Sequence, residues 1–412
     1  MKRRWFIFAV GAITFFLSQL YRTSNAILAP SLIRDLSLDS NGIGVVSAAF
    51  FYSFALTQIP IIVFLDKTGS RKLMTLLSLI GILGAIIFSL SQGFVSALAG
   101  RLLLGIGMSC ALMGSLKLLS DWFPPYLFAT FSGLLTAVGT LGNMMSTTPL
   151  AMMVEAWGWR ASFQGIAVFH AVVTIAFYLI VRDKPCDLTY GIEPTDSTAA
   201  RPTLSNISYL LKSKDYWFIS LGTFMRYGTF AALQALWAGP LLVVVLGYKP
   251  LEAGNVILAM NFGMIIGFPL WGVISDKVLH TRKWMAVSGL FLVGLATLIL
   301  SQVREGCAAS ITGLIFFCIG LSTASGQLMY AHIKELFPSD MTGTALTGIN
   351  FFTMIGPAVF LQGLGVMMQI LYPTASFGQQ AFTTSLYFCC ICQFLAGFIY
   401  MLTREKKTRE KG

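Results

Sequence analysis

Two arginines set the chemical question. Arg22, in Leu20-Tyr21-Arg22-Thr23-Ser24-Asn25, and Arg226, in Met225-Arg226-Tyr227, each sit inside a stretch apolar enough to cross a bilayer. An arginine at the centre of a membrane helix costs on the order of 3 kcal/mol on insertion scales, so it faces a cavity or a partner. The guanidinium keeps its proton, and burial cannot be relieved by neutralisation. All seventeen Asp and Glu fall in loops or at helix ends, so no fixed acid inside the predicted spans balances the two cations. Two such groups facing one low-dielectric cavity repel, and water or a mobile anion must relieve that repulsion. The chemistry they point to is the binding of a small anion.

Other polar residues in the spans are candidates to help. Ser18 and Asn25 fall on roughly the Arg22 face of their helix and offer neutral hydrogen bonds to a ligand. Tyr52, Gln234 and Asn261 are plausible liners, with interhelical contact as the alternative use of each. Lys117 and His332 lie toward the cytoplasmic ends of the fourth and tenth predicted spans, and His332 is the titratable group placed to couple protons there. His170 reads as a packed, hydrogen-bonded histidine. No nucleophile accompanies a His and an Asp, and no glycine loop for phosphate opens a helix, so nothing indicates an enzyme or a cofactor. The seven cysteines lack metal-ligand spacing and read as small packing residues.

The elements that must position these residues follow from composition. Of 412 residues, 56% are hydrophobic and 11% charged, with a mean hydropathy of +0.76; a soluble domain carries roughly 25% charged residues. Apolar runs of about twenty residues predict an all-α membrane protein with twelve spans. They fall near 6–28, 42–64, 73–91, 97–119, 127–150, 162–181, 216–244, 252–274, 284–302, 308–331, 342–369 and 380–403. The predicted organisation is a six-helix bundle over 1–181, a cytoplasmic linker over 182–215, a second bundle over 216–403 and a basic tail over 404–412. With a cytoplasmic amino terminus, twenty of the 28 Lys and Arg fall on the cytoplasmic side, four on the other side and four within spans. That asymmetry is the positive-inside rule, and it removes nucleic acid as the reason for the net charge of +11. The expected setting is a bacterial-type inner membrane, both termini cytoplasmic, the chain acting as a monomer.

The halves repeat one another. Asp66-Lys67-Thr68-Gly69-Ser70-Arg71-Lys72 follows the second span, and Asp276-Lys277-Val278-Leu279-His280-Thr281-Arg282-Lys283 follows the eighth. Trp122-Phe123-Pro124 is echoed by Leu336-Phe337-Pro338, and Arg22 by Arg226. Near-constant offsets indicate a duplicated six-helix unit. Asp66, with Gly69 for a tight turn and Arg71 beside it, forms a candidate latch between helix ends; Asp276, Lys277 and Arg282 form its counterpart.

On these motifs the chain resembles the major facilitator superfamily. Its signature loop is matched with Ile62 for the leading glycine in the first copy, Gly272 retained in the second, and Lys67 and Lys277 in place of arginine. Arg101-Leu102-Leu103-Leu104-Gly105-Ile106-Gly107 matches the superfamily's Arg-x-x-x-Gly-x-Gly motif, implying a structural or gating role for Arg101. Arg22-Thr23-Ser24-Asn25 through Pro30, with Arg226-Tyr227-Gly228, resembles the organophosphate:phosphate antiporter branch, in which an arginine from each half binds phosphate. Trp237-Ala238-Gly239-Pro240-Leu241 is similar to a segment of lysosomal dipeptide transporters. The expected function is secondary transport of a small organic anion, an organophosphate or a carboxylate, by alternating access. The rivals are a peptide or zwitterion carrier and a proton-coupled drug exporter; the exporter's Gly-Pro-x-x-Gly-Gly motif is absent from Gly142-Asn143-Met144-Met145-Ser146-Thr147-Thr148-Pro149-Leu150.

Overall fold

The computed structural model describes residues 2–183, 209–338 and 341–405, with the backbone alone for Lys2, Ile62, Val63, Asp66, Pro125, Tyr126, Ala129, Thr342, Gly343, Thr344 and Thr347. The predicted linker and tail therefore lie largely outside the described residues, as does the side chain of Asp66. Among the described residues there is no strand, and eleven helices are long and apolar enough to cross a membrane. Pro125–Met145 supplies a twelfth rod where the fifth span is expected.

In chain order the spans are Lys2–Thr23 continued by Asn25–Asp35, Ser40–Thr68, Ser70–Ser89, Phe94–Met108 continued by Ala111–Trp122, and Pro125–Met145. Thr148–Ile180 follows, interrupted at Gly158, whose φ of +77° is a conformation that glycine adopts without strain. Residues 148–157 prolong the fifth span, and 159–180 form the sixth. The second half runs through Lys214–Ala232, extended by π-helical turns to Val245, then Pro250–Val273, Lys283–Ser301 and Ala309–Thr323. A 3-10 turn over Ala324–Gly326 leads into Gln327–Leu336, and Thr342–Leu371 and Gln379–Tyr400 complete the set.

Local sequence sets several starts. The Asp39 carboxylate accepts from Gly42 N at 2.6 Å and caps the second span. Pro250 opens the eighth span, where Glu252 accepts from Lys249 N at 3.0 Å. Leu56, Val95, Ile370 and Ile391 are exposed because the outer solvent of such a bundle is hydrocarbon.

The packing repeats with the sequence. The first span lies on the fifth, the second on the fourth and the third on the sixth; the seventh lies on the eleventh, the eighth on the tenth and the ninth on the twelfth. Span four shows how its glycines earn this closeness. A Cβ at Gly105 would strike Ser53 and the Phe50 carbonyl of the second span, and one at Gly107 would strike Gly81 of the third.

The halves touch at the end away from the two termini. Ser40 Oγ donates to Gly365 O and Gln369 Oε1, both at 3.1 Å, Tyr52 OH to Gln362 Oε1 at 3.1 Å, and Thr148 Oγ1 to Asn255 Oδ1 at 2.8 Å. Gly239 lies directly against the Ala26 carbonyl. The hydrogen bonds of Ser40, Tyr52 and Thr148 join the halves at this end. At the other end each half is tied to itself. Trp122 Nε1 donates to Arg182 O and Arg71 N to Asp183 Oδ1; Trp217 Nε1 donates to Leu211 O and Arg404 N to Asp215 Oδ1, all at 2.8 Å.

Candidate functional site

Arg22 stands just before a break in the first span, where helix Lys2–Thr23 gives way to Asn25–Asp35. Thr23 and Ser24 use their hydroxyls on local backbone, Thr23 Oγ1 to Gln19 O at 3.0 Å and Ser24 Oγ to Tyr21 O at 3.1 Å, which competes with continuous helix. Thr23 Oγ1 also meets Ser146 Oγ at 2.6 Å, so the breaks in spans one and five face each other.

The Arg22 side chain is 8% exposed, and no hydrogen bond is made by its guanidinium among the described residues. Its Cζ lies 4.9 Å from the Phe54 ring centroid and 5.9 Å from that of Phe51. Cation–π attraction steadies the group from its face. The aromatic rings accept no edge-on hydrogen bond, so its N–H groups retain their full donor capacity. A desolvated cation with open donors has the chemistry to receive an oxyanion.

Arg226 is also buried, at 5% exposure, but its surroundings differ. Its Nη1 donates to Thr323 O at 2.8 Å, at the point where the tenth span tightens into a 3-10 turn. The guanidinium lies flat against Gly326, which has no Cβ to block it. Arg101 has the same bonding pattern. It is fully buried, stacks against Phe50 and Phe88, and its Nη1 donates to Tyr21 O at 2.8 Å.

The remaining candidates mostly hold helices together. Ser18 Oγ donates to Met108 O at 3.3 Å, and Asn25 Nδ2 to Ser47 Oγ at 2.8 Å, with Asn25 Oδ1 left without a partner. Gln234 Nε2 donates to Asn261 Oδ1 at 2.9 Å, and Tyr52 joins the contact between the halves. Lys117 is half-buried on Ala111–Trp122. His332 is buried and engaged on both ring nitrogens, by Tyr400 OH and by Arg404 O, each at 2.9 Å. His170 is packed beside Tyr21 as expected, but neither ring nitrogen has a hydrogen-bond partner among the described residues.

The candidate latch loops have partners that the motif does not contain. Gly69, with φ +81°, brings the start of the third span against Asp183, whose Oδ1 accepts from Arg71 N. Arg71 Nε turns to Tyr178 O at 2.9 Å, while Lys67 is exposed. In the second half Arg282 pairs with Asp276 and, at 3.1 Å, with Glu335 Oε1, while Lys277 is exposed. Burial alone would lower the Arg282 pKa, but those two carboxylates outweigh it and raise it. Glu405 Oε1 accepts from Thr281 and, at 3.0 Å, from Arg282 N. A carboxylate following the last span of each half thus caps the helix start after each signature loop.

A polytopic helical protein with repeated bundles meeting at one end, around buried permanent cations, has the architecture of a membrane transporter. The chain matches the Major Facilitator Superfamily over residues 11–361 and belongs to it. Among its relatives, a hexuronate transporter of Bacillus subtilis (strain 168) is 24% identical over 372 residues, covering 86% of this chain and 85% of that one. A probable sulfoacetate transporter of Cupriavidus necator is 22% identical over 377 residues, 87% of each. The fold matches that of a bacterial homolog to the human lysosomal transporter Spinster, in an inward-facing and unoccupied conformation. The TM-score is 0.79 at 16% identity, covering 98% of this chain and 99% of that one.

Proposed function

We propose that this protein carries a small organic anion across the membrane by alternating access, with Arg22 receiving the anion's oxygens. The observation that carries the reading is the Arg22 guanidinium, buried, faced by Phe54 and without a hydrogen-bond partner among the described residues. Relatives named for hexuronate and sulfoacetate, both anionic compounds, support the same substrate class.

The proposed cycle follows from charge and contact. An arriving oxyanion takes hydrogen bonds from Arg22 and offsets the charge that enclosure would otherwise leave uncompensated. Closing over the site then costs less, and the halves rock about it. The contacts of Ser40, Tyr52, Thr148 and Gly239 separate as the end bearing the termini closes. With every Asp and Glu in a loop or near the end of a helix and with His332 held on both nitrogens, uniport or anion exchange fits better than a proton relay.

The test is uptake into proteoliposomes of glucuronate, sulfoacetate, glucose 6-phosphate, a dipeptide and a lipophilic cation, each paired with ligand-induced thermal stabilisation. Uptake of at least one of the anions is expected. Stabilisation and uptake confined to the cation or the dipeptide would sink the proposal.

A further inference from the structure

The symmetry of the sequence pairs Arg226 with Arg22, because they occupy corresponding spans. The hydrogen bonds pair it with Arg101 instead. Arg101 crosses from the fourth span to a carbonyl beside the break of the first, and Arg226 crosses from the seventh to a carbonyl beside the 3-10 turn of the tenth. Both bonds use Nη1, and both measure 2.8 Å. In each half, then, one buried arginine ties two interrupted helices together. Span one corresponds to span seven and span four to span ten, so the direction of the tie is reversed between the halves.

We infer that Arg226 is a positioning residue that braces the turn at Thr323–Gly326, and that Arg22 alone grips the anion. This rests on the reading that Arg22 is the anion site, and it gives the two arginines different jobs. Two independent features support the division. The tenth span tightens to 3-10 geometry at Ala324–Gly326, and Arg226 Nη1 donates to the carbonyl of Thr323 at the head of that turn. Gly326 supplies a bare backbone on which the guanidinium lies, and any side chain there would displace it. Arg22 has neither a carbonyl nor a glycine seat, only the two phenyl rings.

The roles predict different kinetics. Lysine keeps one donor for one carbonyl but loses the planar fork that holds an oxyanion through two bonds. Arg22→Lys should therefore raise KM about tenfold or more, the cost of one charge-assisted hydrogen bond. Arg226→Met removes the brace and should lower kcat with KM held, because the turn of span ten moves during rocking while the anion's grip does not change. Arg226→Lys should restore kcat, and Gly326→Ala, which displaces the guanidinium without removing it, should reproduce Arg226→Met.

The experiment measures KM and kcat of all four variants in proteoliposomes, using whichever of glucuronate, sulfoacetate and glucose 6-phosphate the unaltered protein takes up. Thermal stabilisation by the same compound reads binding for any variant too slow to assay. A KM for Arg226→Lys raised as far as that for Arg22→Lys would overturn the inference and make the site a two-arginine clamp. An unchanged KM in Arg22→Lys, or no uptake of any of the three compounds, would instead remove the anion reading on which the inference stands.

Discussion

Arg101 Nη1 donates at 2.8 Å to the main-chain carbonyl of Tyr21, and that carbonyl belongs to the peptide leading into Arg22. The motif arginine of span four therefore fixes the backbone from which the proposed site projects. Ser24 Oγ is the other donor to the same carbonyl, at 3.1 Å. Arg101→Met fills much of the same space between Phe50 and Phe88 but donates nothing. It should cost about 1–3 kcal/mol, seen as a lower denaturation temperature in detergent, and should raise KM through Arg22. If both quantities hold at the unaltered values, Ser24 suffices to set the peptide.

The contact between Ser40 and Gln369 predicts a state-dependent lock. Their side chains bond at 3.1 Å across the closed end. In the double variant Ser40→Cys, Gln369→Cys, oxidation should stop transport and reduction should restore it, since alternating access requires that end to part. Transport that continues with the crosslink formed, as scored by mass spectrometry, would show that the halves need not separate there.

Asp35 gives a pH dependence with a definite sign. Burial alone would raise its pKa, but the hydrogen bonds from Trp159, Arg34 and Arg160 outweigh it and hold the carboxyl below its usual range. A depressed folded pKa contributes stability above the unfolded value of about 3.9 and loses it as pH falls through the folded value. Asp35→Asn should thus denature at a lower temperature than the unaltered protein at pH 7. The two curves should converge below about pH 4. A gap that persists in acid would assign the effect to packing.

Asp183 and Glu405 are expected to matter as caps. Replacing either by Ala should cost about 1 kcal/mol, the usual worth of a helix cap, and Asp183→Ala should act on the half that contains Arg71. Hydrogen exchange at the starts of the third and ninth spans reads the effect locally; protection unchanged in both would discount the capping role.

Hydropathy and periodicity were enough for the fold, because a membrane helix must satisfy its own backbone and so advertises its length. Arg22 was legible for the same reason: a charge in an apolar run stands out. The distinction between Arg22 and Arg226 was not legible, because it depends on a turn in a helix about a hundred residues away from Arg226. A weak signal lay in Ala324-Ser325-Gly326, small residues that permit both the tightening and the close approach. Asp183 and Glu405 do not stand out as caps in the sequence, because the signature loop already contains its own acids, Asp66 and Asp276. Their equivalent places after the sixth and twelfth spans are visible in hindsight as part of the repeat. Gln234 and Asn261, by contrast, stand out as polar residues in apolar runs, and only their mutual bond shows that they join the seventh span to the eighth.

The pins on both sides of the connection between the halves bear on how the molecule is assembled. Arg182 and Asp183 are held by the first half, and Leu211 and Asp215 by the second, before and after the intervening segment. Each half thus carries its own clasp, and the covalent connection between them keeps two partners at high effective concentration. A gene cut between the two clasps should yield two polypeptides that find each other in the membrane and together take up substrate, more slowly assembled but otherwise competent.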